Sequence, residues 1–143
     1  MKIAVKKLRE DAVLPTFGSE YAAGADLYAA EEVTIAAGET RLVPTGLAME
    51  IPVGYGGFVF ARSGLATKRG LAPANKVGVI DADYRGEIFV ALHNHGKEDQ
   101  TVALGERVAQ MVVMPFLAAE YFETDELSDT VRGAGGFGST GRK

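Results

Sequence analysis

The stretch Leu47-Ala-Met-Glu-Ile-Pro-Val-Gly-Tyr-Gly-Gly-Phe-Val-Phe-Ala61 decides the fold class. Two strand-like runs, 47–51 and 57–61, flank a break at Pro52-Val53-Gly54. Ile, Val and Phe suit a pleated, half-buried surface, whereas Pro and Gly turn the chain. The same pattern continues outward. Further runs at 3–7, 32–36, 40–44, 77–80, 87–93, 101–104, 107–115 and 119–124 are separated by breaks such as Ala37-Gly38-Glu39 and Asn94-His95-Gly96. Short strands at this spacing predict an all-β fold, a Greek-key sandwich or barrel. Helix signals are poor. Residues 63–68 suit one or two turns with Ser63 as cap, and 125–129 is a weaker candidate. No GxxxxGK[ST] run exists, and no glycine fingerprint precedes a long helix, which argues against a P-loop or dinucleotide fold.

The 143 residues suit one domain, and 47% hydrophobic content is enough for a core. With 15 basic and 19 acidic residues the net charge is −4, so no basic field awaits a nucleic-acid backbone. Cysteine is absent, which removes disulfides, thiolate chemistry and Cys-ligated metals. Met1-Lys-Ile-Ala-Val-Lys-Lys7 is too polar for a signal peptide, and no apolar run reaches membrane-spanning length. A cytoplasmic protein without nucleic-acid or membrane partners is expected. The apolar density of 107–116, and of Ile88-Phe-Val-Ala-Leu92 on both faces, points to a partner subunit on the second face.

Chemistry-bearing residues gather in five segments. Arg132-Gly-Ala-Gly-Gly-Phe-Gly-Ser-Thr-Gly141 joins a forked cation, an aromatic face and two hydroxyls on a backbone half made of glycine. Such a tail makes no core element; it reads as an arm that orders over an anionic ligand. Asp81 follows the apolar run 77–80 and precedes a turn ending at Gly86. A carboxylate at a strand end, its pKa raised by an apolar wall, suits a general base; it also suits a turn cap, and Asp83 competes for the role. Tyr84 serves as an apolar stop for a sugar or as a half-buried strand residue. Arg62-Ser63 places a guanidinium and a hydroxyl at a helix start, suited to phosphate, or equally a surface arginine and a cap. Asp26 suits a metal ion or its waters, or a turn. Gln110 carries an amide that needs a partner if buried. His93 and His95 lack further ligands for zinc and read as strand-end histidines.

In order, Gly24-Ala-Asp-Leu-Tyr-Ala29, Arg62-Ser-Gly-Leu-Ala66, Gly78-Val-Ile-Asp-Ala-Asp-Tyr-Arg-Gly-Glu87, Gly105-Glu-Arg-Val-Ala-Gln110 and the tail resemble the five motifs of the homotrimeric dUTPase family (deoxyuridine 5′-triphosphate nucleotidohydrolases). The resemblance covers essentially the whole chain. It implies a jelly-roll-like distorted β-barrel over residues 1–131, with a flexible glycine-rich arm, 132–143, closing over an active site shared by three subunits. The implied reaction is water attack at the α-phosphorus of dUTP, giving dUMP and pyrophosphate with Mg²⁺. That reaction limits uracil in DNA and supplies dUMP for dTMP synthesis.

The resemblance also implies roles. Asp81 orients and activates the water and touches the sugar 3′-hydroxyl. Tyr84 packs under the deoxyribose. Asn75, Gly78, Val79 and Ile80 read the uracil edge. Arg62, Ser63 and Gly64 bind phosphates. Asp26 and Gln110 hold Mg²⁺ through its waters. Phe137 stacks on the base, Arg132, Ser139 and Thr140 hold the γ-phosphate end, and Gly138 is among the substrate-binding residues. Many family members carry proline where this chain has Ala61, a difference that removes no catalytic group. Two other readings compete. A dCTP deaminase has Arg-Ser-Ser where Gly64 stands here, and a tryptophan-containing stretch this chain lacks. A non-catalytic dUTP-binding regulatory protein would retain the pocket but lose Asp81 or the tail.

Overall fold

The computed structural model describes residues 1–139. Twelve strands and one short helix follow in order: β1 (Ala4–Lys7), β2 (Thr16–Phe17), β3 (Ala25–Tyr28), β4 (Val33–Ile35), β5 (Thr40–Pro44), β6 (Leu47–Glu50), β7 (Tyr55–Phe60), α1 (Ser63–Arg69), β8 (Leu71–Pro73), β9 (Gly78–Ile80), β10 (Phe89–Asn94), β11 (Gln100–Val102) and β12 (Arg107–Pro115). Every pairing is antiparallel.

The chain is sheet-dominated, but the barrel expectation is corrected. The strands form four open sheets, β1-β6, β5-β10-β8, β11-β4 and β2-β3-β12-β7-β9, and none closes on itself. Closure needs every strand hydrogen-bonded on both edges. Here most strands span only two to five residues, too short to carry a ladder around a ring. The pairing of β12 with β3 slips between Arg107 and Ala109, and β9 ends its sheet as a free edge.

The four sheets instead enclose one apolar interior. Leu27, Val59 and Met111 of the five-stranded sheet meet Val43, Val90 and Leu92 of the three-stranded one. Ile35 and Val102 of β4 and β11, with Leu47 and Met49 of β6, complete it. Each such side chain contributes about 1.5–3 kcal/mol by leaving water. β10 shows the underlying alternation: Val90, Leu92 and Asn94 point inward, while Phe89, Ala91 and His93 are more exposed. Asn94 is a polar exception at 0% exposure. Its Nδ2 donates to the carbonyls of Ile35 and Glu98, and its Oδ1 accepts from the Gly96 amide. That satisfied amide replaces backbone partners where β10 leaves its sheet.

Three expectations fail locally. Residues 119–124 form no strand and 125–129 form no helix. The side chains there face solvent, Tyr121 and Phe122 included, so nothing rewards ordering them. The α1 cap is Arg62 rather than Ser63, and no side chain bonds the free amides of its first turn. At its other end Gly70 takes φ +66°, where an added Cβ would meet the Gly96 amide at 3.0 Å. Among the described residues no helix is long and apolar enough to cross a membrane.

Candidate functional site

Two groups of the expected residues form within the chain, at opposite corners of the five-stranded sheet. The first is ionic. Asp26 on β3 lies directly opposite Gln110 on β12, which in turn faces Phe60 at the end of β7. Arg62, two residues further on, donates from Nε to Asp26 Oδ1 at 2.8 Å. Arg107 donates from Nη1 to Asp26 Oδ2 at 3.2 Å. Asp26 is only 8% exposed, and an unpaired carboxylate there would carry a large desolvation penalty. Two guanidiniums offset it, one on each oxygen. Gln110 donates from Nε2 to the carbonyl of Ala61 at 2.9 Å, which fixes the amide beside the same corner. Ser63 and Gly64 follow, exposed, with first-turn amides that helical geometry leaves free.

Arg107 belongs to this corner although sequence reasoning passed over it. Within its motif the sequence singles out Gln110 alone. The signal for Arg107 is the pairing of β12 with β3, whose Gly-Ala-rich sequence carries weak strand character. Behind it, Arg69 at the end of α1 pairs with Glu106, and donates to Gln100 Oε1 at 2.9 Å and to the Thr101 carbonyl at 2.6 Å. The helix that follows Arg62 is thereby tied to the start of β12.

The second group surrounds a cleft of about 340 Å³ beside β9, lined by Leu42, Ile80, Asp81, Tyr84 and Phe89. A smaller hollow of about 80 Å³, walled by Val59, Asn75, Gly78 and Ala91, adjoins it and shares Val79, Ile80 and Phe89. Gly78 leaves space there, since a Cβ would stand 3.3 Å from both Asn75 Nδ2 and Val59 Cβ. Asp81 is exposed, and its carboxylate makes no hydrogen bond among the described residues; the turn is held through its carbonyl, which accepts from the Tyr84 amide at 3.1 Å. The side-chain cap reading therefore does not apply. Asp83 is not on the cleft wall. Outward-facing Phe89, in the segment whose second apolar face points to a partner subunit, lines both hollows.

His93 and His95 meet edge to face with centroids 4.4 Å apart, and His93 Nδ1 lies 2.9 Å from Thr40 Oγ1. Desolvation, then His93 and Lys76, hold His95 below the usual histidine pKa. Glu31 raises the pKa of Arg9 at a distant edge.

Among the described residues the tail makes no hydrogen bond to either group. Arg132 donates from Nε to the Gly135 carbonyl at 2.7 Å, Phe137 is fully exposed with φ +50°, and the Ser139 amide donates to Gly136. Gly138 takes φ +91° beside them. Thr140 lies outside the described residues.

The two corners are far apart. Ile80 pairs with Gly57 on β7, whereas Gln110 pairs with Phe60. Asp81 is thus about four residues along β7 from the Asp26 row, roughly 13 Å, and three strand spacings across.

The dUTPase family profile matches residues 10–141. The chain is 51% identical over 142 residues to the deoxyuridine 5′-triphosphate nucleotidohydrolase of Nautilia profundicola, covering 99% of this chain and 100% of that one. It is 52% identical over 146 residues to the protein of that name from Desulfitobacterium hafniense, covering 99% and 97%. The solved dUTPase of Staphylococcus bacteriophage 80alpha with dUpNHpp superposes with a TM-score of 0.90 at 30% identity, covering 98% of both chains.

Proposed function

This chain belongs to the dUTPase family and hydrolyses dUTP to dUMP and pyrophosphate, and from that premise we propose how its own residues divide the reaction. The observation that carries the proposal is the Asp81 carboxylate, without a hydrogen bond among the described residues, on the wall of a cleft that adjoins the Asn75–Gly78 hollow. The uracil edge enters that hollow and meets the backbone of β9 and the Asn75 amide. The deoxyribose rests on Tyr84. Asp81, with no competing donor among the described residues, takes a proton from the water that attacks the α-phosphorus. Arg62, Ser63 and Gly64 hold the phosphates through a guanidinium, a hydroxyl and the free amides of α1. The arm, 132–143, closes over the nucleotide, with Phe137 on the base and Arg132, Gly138, Ser139 and Thr140 at the γ-phosphate.

Family members typically use Mg²⁺, which neutralises phosphate charge when bound. The donor set here fits that ion as an outer shell. Both Asp26 oxygens already accept from arginines, and Gln110 Oε1 is a hard oxygen donor on the adjoining strand. No group of three or more His, Cys, Asp or Glu side chains suited to a metal occurs among the described residues. Asp26 and Gln110 would hold the ion through its waters, and the ion would supply charge neutralisation at the triphosphate.

Gly24 guards this arrangement. A Cβ there would stand 2.5 Å from Gln110 Oε1. Gly24→Ala is expected to swing the amide off Ala61 and lower kcat/KM for dUTP about tenfold. Overpacking would also lower stability by about 1–3 kcal/mol. Steady-state kinetics and urea unfolding read the two effects.

A single copy leaves Asp81 and Arg62 roughly 20 Å apart, by strand spacing and rise. That supports a homotrimer with sites built between copies. An outward apolar row, Val112–Phe58–Val79, continues the same sheet face and suits such contact. The test is complementation. Arg62→Ala and Asp81→Asn, each inactive alone, are refolded together. Shared sites return about a quarter of wild-type activity, because half the copies supply each intact residue. Sites within one chain return none.

A further inference from the structure

The turn between β9 and β10 is held by a side chain that has no role in the account above. Arg85 follows Tyr84, and its Nη1 donates to two backbone carbonyls, Ala82 at 2.7 Å and Tyr84 at 3.1 Å. Its Nη2 lies 3.6 Å from Glu50 Oε1, with both side chains more than half exposed. An exposed pair at that distance contributes little. The fork onto two carbonyls is different in kind. It fixes the path of the backbone on both sides of Asp83 and directly behind Tyr84.

The rest of the turn transmits that constraint to the ring. The Tyr84 hydroxyl donates to the Glu87 carbonyl at 2.8 Å, crossing over Gly86. A Cβ on Gly86 would stand 2.5 Å from that hydroxyl oxygen, so the ring lies flat against the bare backbone. Glu87 is itself anchored, its Oε1 accepting from the Gly46 amide at 2.8 Å. The ring is thus pinned at its hydroxyl end by Glu87 and at its backbone end by Arg85. Glu87 lies on the cleft wall, whereas Arg85 does not.

We propose that Arg85 is a positioning residue for sugar discrimination: by bridging the carbonyls of Ala82 and Tyr84 it holds the Tyr84 ring where a ribose 2′-hydroxyl has no room. This rests on the reading of Tyr84 as the residue under the deoxyribose. Both bonds leave one nitrogen, Nη1, whose two hydrogens are fixed in the guanidinium plane; a lysine ammonium has three donors, but they rotate freely on a flexible stem and are not aimed in this way. Loss of the fork lets the 82–85 backbone shift, and a ring displacement of about 1 Å is enough to change transition-state fit.

The experiment compares kcat/KM for dUTP and UTP in wild type, R85A, R85K, E50Q and Y84A, with a thermal melt for each. The ratio of the two substrates is the readout, because partial unfolding lowers both rates equally and leaves it unmoved. R85A and R85K are expected to lower the dUTP preference roughly tenfold, while E50Q keeps it. A preference unchanged in R85A but reduced in Y84A overturns the role of Arg85 alone. Full preference in R85K, or loss in E50Q, shows that charge rather than the fork matters and overturns it also. A preference unchanged in Y84A removes the sugar reading of Tyr84, and this inference with it. If R85A fails to fold, R85K decides.

Discussion

Asp81→Asn is expected to give a folded protein that still binds dUTP and scarcely hydrolyses it, with kcat lower by about 10³-fold. The substitution is nearly isosteric, and the carboxylate it replaces makes no hydrogen bond among the described residues, so the scaffold loses no tie. An amide still orients a water but takes no proton from it. KM for dUTP should therefore change little while kcat collapses, the pattern of an interaction realised only in the transition state. Pyrophosphate release from dUTP, dTTP, dCTP and UTP with Mg²⁺ is the measurement. Asp83→Asn is the control, since that side chain is off the cleft wall and should leave turnover near wild type. Loss of activity in the Asp83 variant alone would move the base by two residues.

Ending the chain after Val131 is expected to lower kcat/KM by about 10²–10³-fold, through lost positioning and water exclusion, and to leave the fold intact. The reason is in the contacts. From Thr130 to Ser139 the hydrogen bonds among the described residues are all internal to the segment, such as Gly133 to Thr130 and Arg132 to Gly135. Nothing there packs on the core, so the melting temperature should move by no more than about 2 °C. Within the arm, Phe137→Ala should account for about tenfold, the scale of one base-on-ring stacking contact. A truncated chain that hydrolyses dUTP at the wild-type rate would remove the arm from the mechanism.

Strands with a strong local pattern were legible before any coordinates. The spans 40–44 and 107–115 match β5 and β12 end to end, because Val43 and Val108–Met114 carry β-branched and long apolar residues of strong strand character. Three short strands were not. β2 is two residues long and exposed, β8 holds a proline, and β3 begins in Gly-Ala repeats of low strand propensity. These form because a longer neighbour offers a ladder, which is a tertiary effect. The run 119–124 misled for the converse reason: its Tyr121 and Phe122 have strand character, yet no neighbour pairs with it. Sheet closure was the largest error, since local propensity says nothing about whether edges meet. At the site, the motif residues were found by type and order, while Arg107 and Arg85 emerged only from geometry. Each acts through a partner distant in sequence or through backbone carbonyls, and neither leaves a periodic trace.

The free edge of β9 has a consequence for how this protein changes over generations. A strand at a sheet border presents its amides and carbonyls outward whatever side chains it carries. If uracil is read by that border, mutation of Val79, whose side chain is 60% exposed, barely alters the lettering the enzyme reads. Base choice is then robust to drift in the very segment that makes it. A lineage that acquires a different pyrimidine must reshape main chain, by insertion or by a new turn, rather than exchange one side chain for another.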